Sequence, residues 1–333
     1  MPNIVRYGII GCGGIAHGYH LRELTAIPAA RLIATADTDG ERAKATAERY
    51  GAEVWYTDYT RLLARDDIDA VIVSTWHPTH AAIGIAGLEA GKHVLVQKPL
   101  TTKMADADRF VDAAQAARAR GQKIQCFPYN WSPKYEMAQR LMAEGVIGKP
   151  CMGRARVAHS GPTRGSWFYD PARAEYGVSV DLGVYAVSML TGLLGPATSV
   201  SGLVRALEEG VQIDDNACIL MEFASGAIGT AETSWTEAAS QEGTVVYGMD
   251  GTLYLDLAGT PLSVFLKKPV RGWVRPDVPP MPPNATHQHF IDCILKDEQP
   301  KGTPEHARHV VEILLAAHES SRTGQRVTIR TTF

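Results

Sequence analysis

What this chain lacks narrows its class first. Its five cysteines (Cys12, Cys126, Cys151, Cys218, Cys293) are far apart, odd in number and nowhere spaced as CxxC. That argues against a disulfide framework or a zinc knuckle and for a reducing compartment. No apolar run approaches the ~18 residues that a membrane-spanning helix needs. The opening MPNIVRYGIIG leads straight into a strand, without the charged flank, longer apolar core and small-residue cleavage site of a signal peptide. Neither charge sign dominates: 33 Lys and Arg stand against 36 Asp and Glu, a formal net charge of -3. The signs are interspersed, so no basic face or tail suggests nucleic acid or an anionic membrane. Internal repeats and low-complexity tracts are absent too. The expected protein is cytoplasmic and works on small molecules, with neither nucleic acid nor membrane as a partner.

What is present is ordinary globular composition, 45% hydrophobic and 21% charged over 333 residues, enough for two domains of roughly 100–200 residues. Up to about residue 127, short β-rich runs (IVRYGII, RLIATAD, EVWY, AVIVS, HVLV, KIQCF) alternate with Ala-rich helical segments (GERAKATAERY, THAAIGIAGLEA, MADADRFVDAAQAARARG). The runs are apolar throughout, as strands covered by helices on both faces must be. Residues 1–128 therefore read as a doubly wound parallel sheet. Beyond Pro133 come a helix near 133–144, another around 178–192, and then Gly-separated strands: ACILMEF, AIGTAETSW, TVVYGM, TLYLDL and PLSVFL. Residues 129–333 are expected to form an α/β domain with an open, mainly antiparallel sheet, with hairpin turns at Ser225-Gly226 and Asp250-Gly251. Residues 267–284 hold six prolines and read as an irregular loop or lid.

Directly after the first strand comes GCGGIA, with Gly11, Gly13 and Ala16 in the places of GxGxxG/A. Small residues there let the backbone turn tightly and approach a pyrophosphate, which the free N–H groups of a helix start can hold. The pattern alone is a weak signal, but it lies between a strand and a helix. Asp37 ends the second strand 26 residues after Gly11, where a carboxylate accepts from adenosine ribose hydroxyls and repels a 2′-phosphate. Gly11, Gly13, Gly14, Ile15 and Asp37 are therefore candidate cofactor residues. NAD is expected, and NADP stays open because Arg42 is close by. STWHPTH ends the fourth strand at the same sheet edge and adds Thr75, Trp76, His77 and His80.

The histidine pairs His17/His20, His77/His80, His287/His289 and His306/His309 come without a matching Cys or carboxylate pattern, so no metal site is expected. VLVQKPLTTK sets Gln97 and Lys98 directly after an apolar strand, at the mouth of the sheet where such folds hold ligands. GVSVDLGVY spaces Asp181 and Tyr185 four apart on a helix, hence on one face. A helix-capping Asp181 and a core Tyr185 would give the same pattern.

In this order, GIIGCGGIA, the acidic end of the second strand, LEAGKHVLVQKP, DLGVY and the closing ESSRTGQRV resemble the Gfo/Idh/MocA oxidoreductase family across nearly the whole chain. The resemblance implies a Rossmann domain followed by an α/β domain with an open antiparallel sheet. It also implies hydride transfer between NAD(P) and a carbinol of a sugar, inositol or related diol. It places the family's catalytic lysine on Lys98. Gln97 stands where the family's pattern has Glu, which removes a charge beside Lys98. Tyr185 stands where many members carry His, as in the subgroup containing glucose-fructose oxidoreductase and dimeric dihydrodiol dehydrogenase. Tyr129-Asn130-Trp131 replaces YRF, so no substrate-side arginine is expected.

On this reading Tyr185 takes the hydroxyl proton. Lys98 favours the phenolate of a group whose unperturbed pKa is ~10 and stabilises the oxyanion. Asp181 orients Lys98 or a substrate hydroxyl. Tyr129, His159 and Trp167 are candidate sugar contacts, although core packing accounts for them equally well. Two alternatives stay open: an NAD-dependent glycoside hydrolase of the same fold, and a nucleotide-binding sensor without chemistry. Apolar side chains on both faces of the second-domain strands are expected to join a homo-dimer or homo-tetramer through that sheet.

Overall fold

The computed structural model describes residues 4–127, 132–239, 241–257, 260–269 and 271–333. Packing divides the chain into two units, Met1–Tyr129 with Pro282–Arg308, and Asn130–Met281 with His309–Phe333.

In the first unit β1 (Val5–Ile10), β2 (Ala30–Ala36), β3 (Val54–Tyr56), β4 (Ala70–Val73), β5 (His93–Val96) and β6 (Ile124–Cys126) form one six-stranded sheet in the order β3-β2-β1-β4-β5-β6. Every neighbouring pair is parallel, so the strand order reverses between β1 and β4, where this fold binds its ligands. All four residues of β4 and the last three of β5 are buried. Helices on both faces exclude water from them, which is why they read as unbroken apolar runs. Helix Gly40–Tyr50 begins where the Asp39 carboxylate accepts from the Arg42 N–H, and ends at Gly51 in the left-handed region. Helix Met104–Ala119 buries Ala107, Phe110, Val111, Ala114 and Ala117, one stripe at helical spacing. The late helix Ala285–Lys296 packs here too. Its Phe290, Ile291 and Ile294 join Val5, Tyr7, Ile9 and Leu21 in one apolar cluster. A linear division at residues 128/129 groups that helix with the later strands, because chain order carries no sign that the chain returns to the first core.

In the second unit β7 (Pro150–Ala158), β8 (Ala197–Arg205), β9 (Asn216–Phe223), β10 (Ile228–Ser234), β11 (Gln241–Gly248), β12 (Gly251–Leu257), β13 (Thr260–Leu266), β14 (Gly272–Val274) and β15 (Val327–Thr328) form a nine-stranded sheet, ordered β14-β13-β12-β11-β7-β10-β9-β8-β15. Only β7 and β10 run parallel; the other pairs are antiparallel. Along β9, Ala217, Ile219, Met221 and Phe223 are buried while Cys218, Leu220 and Glu222 are exposed, the two-residue alternation of a sheet covered on one face. The covered face packs on helix Gly183–Leu194 and the later part of helix Pro304–Thr323, through Leu190, Leu194, Val310 and Leu314 among others. The other face is mixed. Exposed Leu203, Leu220, Ile228, Met152 and Tyr247 cross it, interspersed with an Arg154–Glu232 ion pair at 2.8 Å.

One expectation is corrected here. The proline-rich segment is not irregular throughout, since β14 pairs with β13 inside it; residues 275–284 carry no helix or strand. Among the described residues, no single helix is long and apolar enough to cross a membrane, and the five thiols are free.

Candidate active site

The glycine loop is shaped by one close approach. Gly11 follows β1 with φ +93°, and a Cβ there would lie 2.5 Å from the Ser74 carbonyl oxygen. Glycine is therefore required where the ends of β1 and β4 meet at the reversal point. The Ser74 hydroxyl donates to the Gly11 carbonyl at 2.8 Å and ties the two strand ends together. A Cβ at Gly13 or Gly14 would meet nothing within 4 Å, so the loop leaves open space over its backbone. The helix that follows is not a plain α-helix as the pattern suggested. It opens with a π-type turn, Ala16–His20, in which the Leu21 N–H donates to the Ala16 carbonyl, and continues only through Leu21–Leu24.

Asp37 lies directly after β2 with its side chain 8% exposed. One carboxylate oxygen accepts from the Cys12 N–H at 2.8 Å and the other from the Asp39 N–H at 2.9 Å. The acidic group is thus fixed to the glycine loop itself. Arg42 stands beside it, 3.4 Å from Asp37 and 3.1 Å from Asp39. Both carboxylates draw the Arg42 guanidinium, so this cation is held by two anions. An open glycine cradle with a locked carboxylate at its end fits NAD: Gly11, Gly13, Gly14 and Ile15 would hold the pyrophosphate and Asp37 the ribose hydroxyls.

Beyond β4, Thr75 shares a hydrogen bond with Thr79 at 2.7 Å, and Trp76 is 43% exposed. His77 and His80 are buried. Burial, more than the neighbouring Lys98 and His80 charges, holds the His77 imidazole well below its ordinary range. His80 has both ring nitrogens against backbone carbonyls, Nδ1 at 2.8 Å from Pro99 and Nε2 at 3.0 Å from Thr75. Burial still wins and brings it down to about 4. Lys98 is half-buried just beyond β5. Its N–H donates to the Gln97 side-chain oxygen at 2.7 Å, and the Lys98–Pro99 peptide is cis.

In the second unit the expected helix over 178–192 divides at Leu182 into Val178–Asp181 and Gly183–Leu194. Leu182 keeps right-handed angles (φ -97°, ψ -31°), but Pro171–Asp181 and Gly183–Leu194 are bent by 40° to each other there, and Asp181 and Tyr185 stand four residues apart on either side of the bend. Asp181 is buried and Tyr185 half-buried. What orients this segment is a residue the sequence reading did not single out. Asp214 accepts from the Gly177 N–H at 2.8 Å and the Ser179 N–H at 2.7 Å with its two carboxylate oxygens. Its main-chain carbonyl takes the Val178 N–H at 2.9 Å. Three N–H groups at the helix start are thereby satisfied by one aspartate. Gly177 must be glycine, because a Cβ there would lie 1.9 Å from the Asp214 carbonyl oxygen. Ser179 in turn shares a 2.6 Å hydrogen bond with His318. The only sequence signal for Asp214 was an acidic pair ahead of a strand, and no spacing rule links residue 214 to residue 177.

Of the candidate sugar contacts, His159 follows β7 and its Nδ1 accepts from the Gly161 N–H at 2.9 Å. Trp167 is half-buried, stacks on Phe168 with centroids 4.1 Å apart and packs against the cluster around Trp235. Tyr129 lies outside the described residues, with Asn130 and Trp131. Among the described residues, no group of three or more His, Cys, Asp or Glu is placed to hold a metal ion.

A parallel sheet with a glycine cradle and a ribose-type carboxylate defines a dinucleotide-binding protein. Comparison with known families makes it specific. Residues 5–123 match the oxidoreductase family with NAD-binding Rossmann fold, and residues 135–254 match the Gfo/Idh/MocA C-terminal domain. The chain belongs to the Gfo/Idh/MocA oxidoreductase family, and its first domain is that family's NAD-binding Rossmann fold. It is 29% identical to scyllo-inositol 2-dehydrogenase (NAD(+)) of Bacillus subtilis (strain 168), over 98% of this chain and 97% of that one. It is 30% identical to dTDP-3,4-didehydro-2,6-dideoxy-alpha-D-glucose 3-reductase of Actinomadura kijaniata, over 97% and 96%. Among solved structures it is similar to GenD2 from gentamicin A biosynthesis in complex with NAD, with a TM-score of 0.85, 30% identity, and coverage of 99% of this chain and 97% of that one.

Proposed function

We propose that this oxidoreductase moves a hydride between nicotinamide and a carbinol or carbonyl carbon of a sugar, inositol or related polyol. The observation that carries the reading is the place of Lys98. It comes two residues past β5, on the edge of the parallel sheet that also carries the Gly11–Ile15 loop and Asp37. A carbinol becoming a carbonyl develops negative charge on oxygen, and a fixed cation beside the cofactor edge stabilises that charge. Similarity to dehydrogenases and reductases named for inositols and a deoxysugar supports the substrate class.

When bound, NAD supplies the two-electron acceptor. The chain's own residues do the rest. In oxidation the substrate C–H bond breaks with its electron pair leaving as hydride, and the hydroxyl proton must go to a base. Tyr185 is the proposed proton acceptor in that direction and the donor in reduction. Lys98 supplies the oxyanion-stabilising charge. Asp181, four residues before Tyr185 on the segment that Asp214 caps, is the proposed orienting group. Cofactor preference for NAD over NADP follows from Asp37, whose carboxylate is fixed where a 2′-phosphate would be repelled.

The test is a panel of sugars, inositols and diols with NAD and with NADP, following formation of the reduced nicotinamide. One or more polyols should drive net reduction of NAD. An NAD-dependent glycoside hydrolase would consume glycoside without net reduced cofactor, and a sensor would bind nucleotide without turnover; either result sinks the reading.

A further inference from the structure

We infer that His80 is a positioning residue for Lys98, pinning the carbonyl of Pro99 to the end of β4; the inference rests on the reading of Lys98 as the active-site cation. His80 opens helix His80–Glu89 and is 1% exposed. Its sequence position beside Thr75 and His77 suggested a cofactor contact. The structure points elsewhere, because a ring buried to that degree, with both nitrogens directed at backbone, acts through the backbone.

The two carbonyls belong to different segments. Thr75 follows β4, and Pro99 follows Lys98 beyond β5. Proline has no N–H, so its carbonyl is the only polar group by which that residue can be held. On the other side of the lysine, the Gln97 side chain accepts the Lys98 N–H at 2.7 Å. The chain is therefore held on both sides of Lys98: the peptide unit before it by the Gln97 side chain, and the unit that follows Pro99 by His80. With its titration brought down to about 4 by burial, the ring is neutral near pH 7 and carries one N–H for two carbonyls. An apolar residue would fill this buried site without leaving a carbonyl opposite a lone pair. An imidazole there is explained by the bond it makes, and the shorter contact is the one to Pro99.

Two conservative variants separate the bonds. In His80→Asn the side-chain amide stands near the place of Nδ1 and can still donate to Pro99; in His80→Gln it stands near the place of Nε2 and can reach only Thr75. A displaced catalytic group of this kind costs about 10²-fold. With a polyol substrate, His80→Gln should lose turnover by that order while His80→Asn keeps most of it, and the dissociation constant for NAD should be unchanged in both. Competitive acylation of lysine amines in the full-length protein, read by mass spectrometry, supplies a second readout that needs no substrate. The labelling rate of Lys98, and of no other lysine, should change in His80→Gln and stay near wild type in His80→Asn.

Equal losses in both variants, tracking a common fall in melting temperature, would overturn the inference, as would unchanged Lys98 labelling in His80→Gln. Changed labelling, together with normal turnover by Lys98→Met, would leave His80 as the residue that positions Lys98 and instead remove Lys98 from the chemistry.

Discussion

Two single side chains, the Asp37 carboxylate and the Tyr185 phenol, have proposed roles that one substitution each can test. Asp37 accepts two loop N–H groups and is the proposed acceptor for the ribose hydroxyls. Asp37→Ser should weaken NAD binding and at the same time relax discrimination against NADP, because Arg42 is then held by Asp39 alone. The ratio of kcat/KM for the two cofactors measures this; a ratio unmoved by the substitution would take the specificity away from Asp37. Tyr185→Phe keeps the packing of a half-buried ring and removes only the hydroxyl. Turnover should fall about 10²–10⁴-fold, the range for losing a general acid/base, with cofactor affinity unchanged. Near-normal turnover would make Tyr185 a core residue.

At the scale of elements, most strands and helices of the first unit were legible because they bury an apolar run or one helical stripe, and local pattern is all that such burial needs; the edge strand β3, with no buried residue, was legible from its β-rich composition alone. GERAKATAERY is helical over Gly40–Tyr50, and the six strand segments all pair. The positions of candidate residues at strand ends were legible to a similar degree, since Gly11, Asp37 and Lys98 all follow the strands expected to carry them. The candidate site was not legible where it depends on contacts between distant segments. The π-type turn after the glycine loop, the division of the helix at Leu182, the clasp of His80 on Pro99 and the capping by Asp214 leave no periodicity in the chain.

Asp214 is the clearest case, since it sets the start of the segment carrying Asp181 from 37 residues away. Asp214→Ala strips the carboxylate from two N–H groups, each of which costs about 1–3 kcal/mol if it stays buried and unsatisfied. Thermal unfolding should shift down and turnover should fall, while NAD affinity, a property of the first unit, stays as it was. Loss of NAD binding instead would show that the effect is not confined to the capped segment.

At the scale of the whole molecule the second sheet has one face covered by its own helices and one face that is open. The register places Leu203 opposite Cys218, Met152 opposite both Ile228 and Tyr247, and Leu220 opposite Thr230. Apolar side chains therefore cross five strands on the open side. We propose that this face joins copies of the chain into a dimer or tetramer, since exposed apolar patches of this kind are costly in water. Light scattering at micromolar concentration should give at least twice the mass of one chain, and Leu220→Lys should lower it; a monomeric wild type would remove the proposal.

Hydride transfer from a polyol carbon to the nicotinamide of a bound NAD leaves a label that can be followed. It is tested most directly with a substrate from the panel deuterated at its carbinol carbon, by reading where the label goes. Deuterium is expected in the reduced nicotinamide, at most one per cofactor, with a slower rate than for the protiated substrate if hydride transfer limits turnover. Reduced cofactor without deuterium, or consumption of the substrate with the label retained on its carbon or released to water, would contradict it.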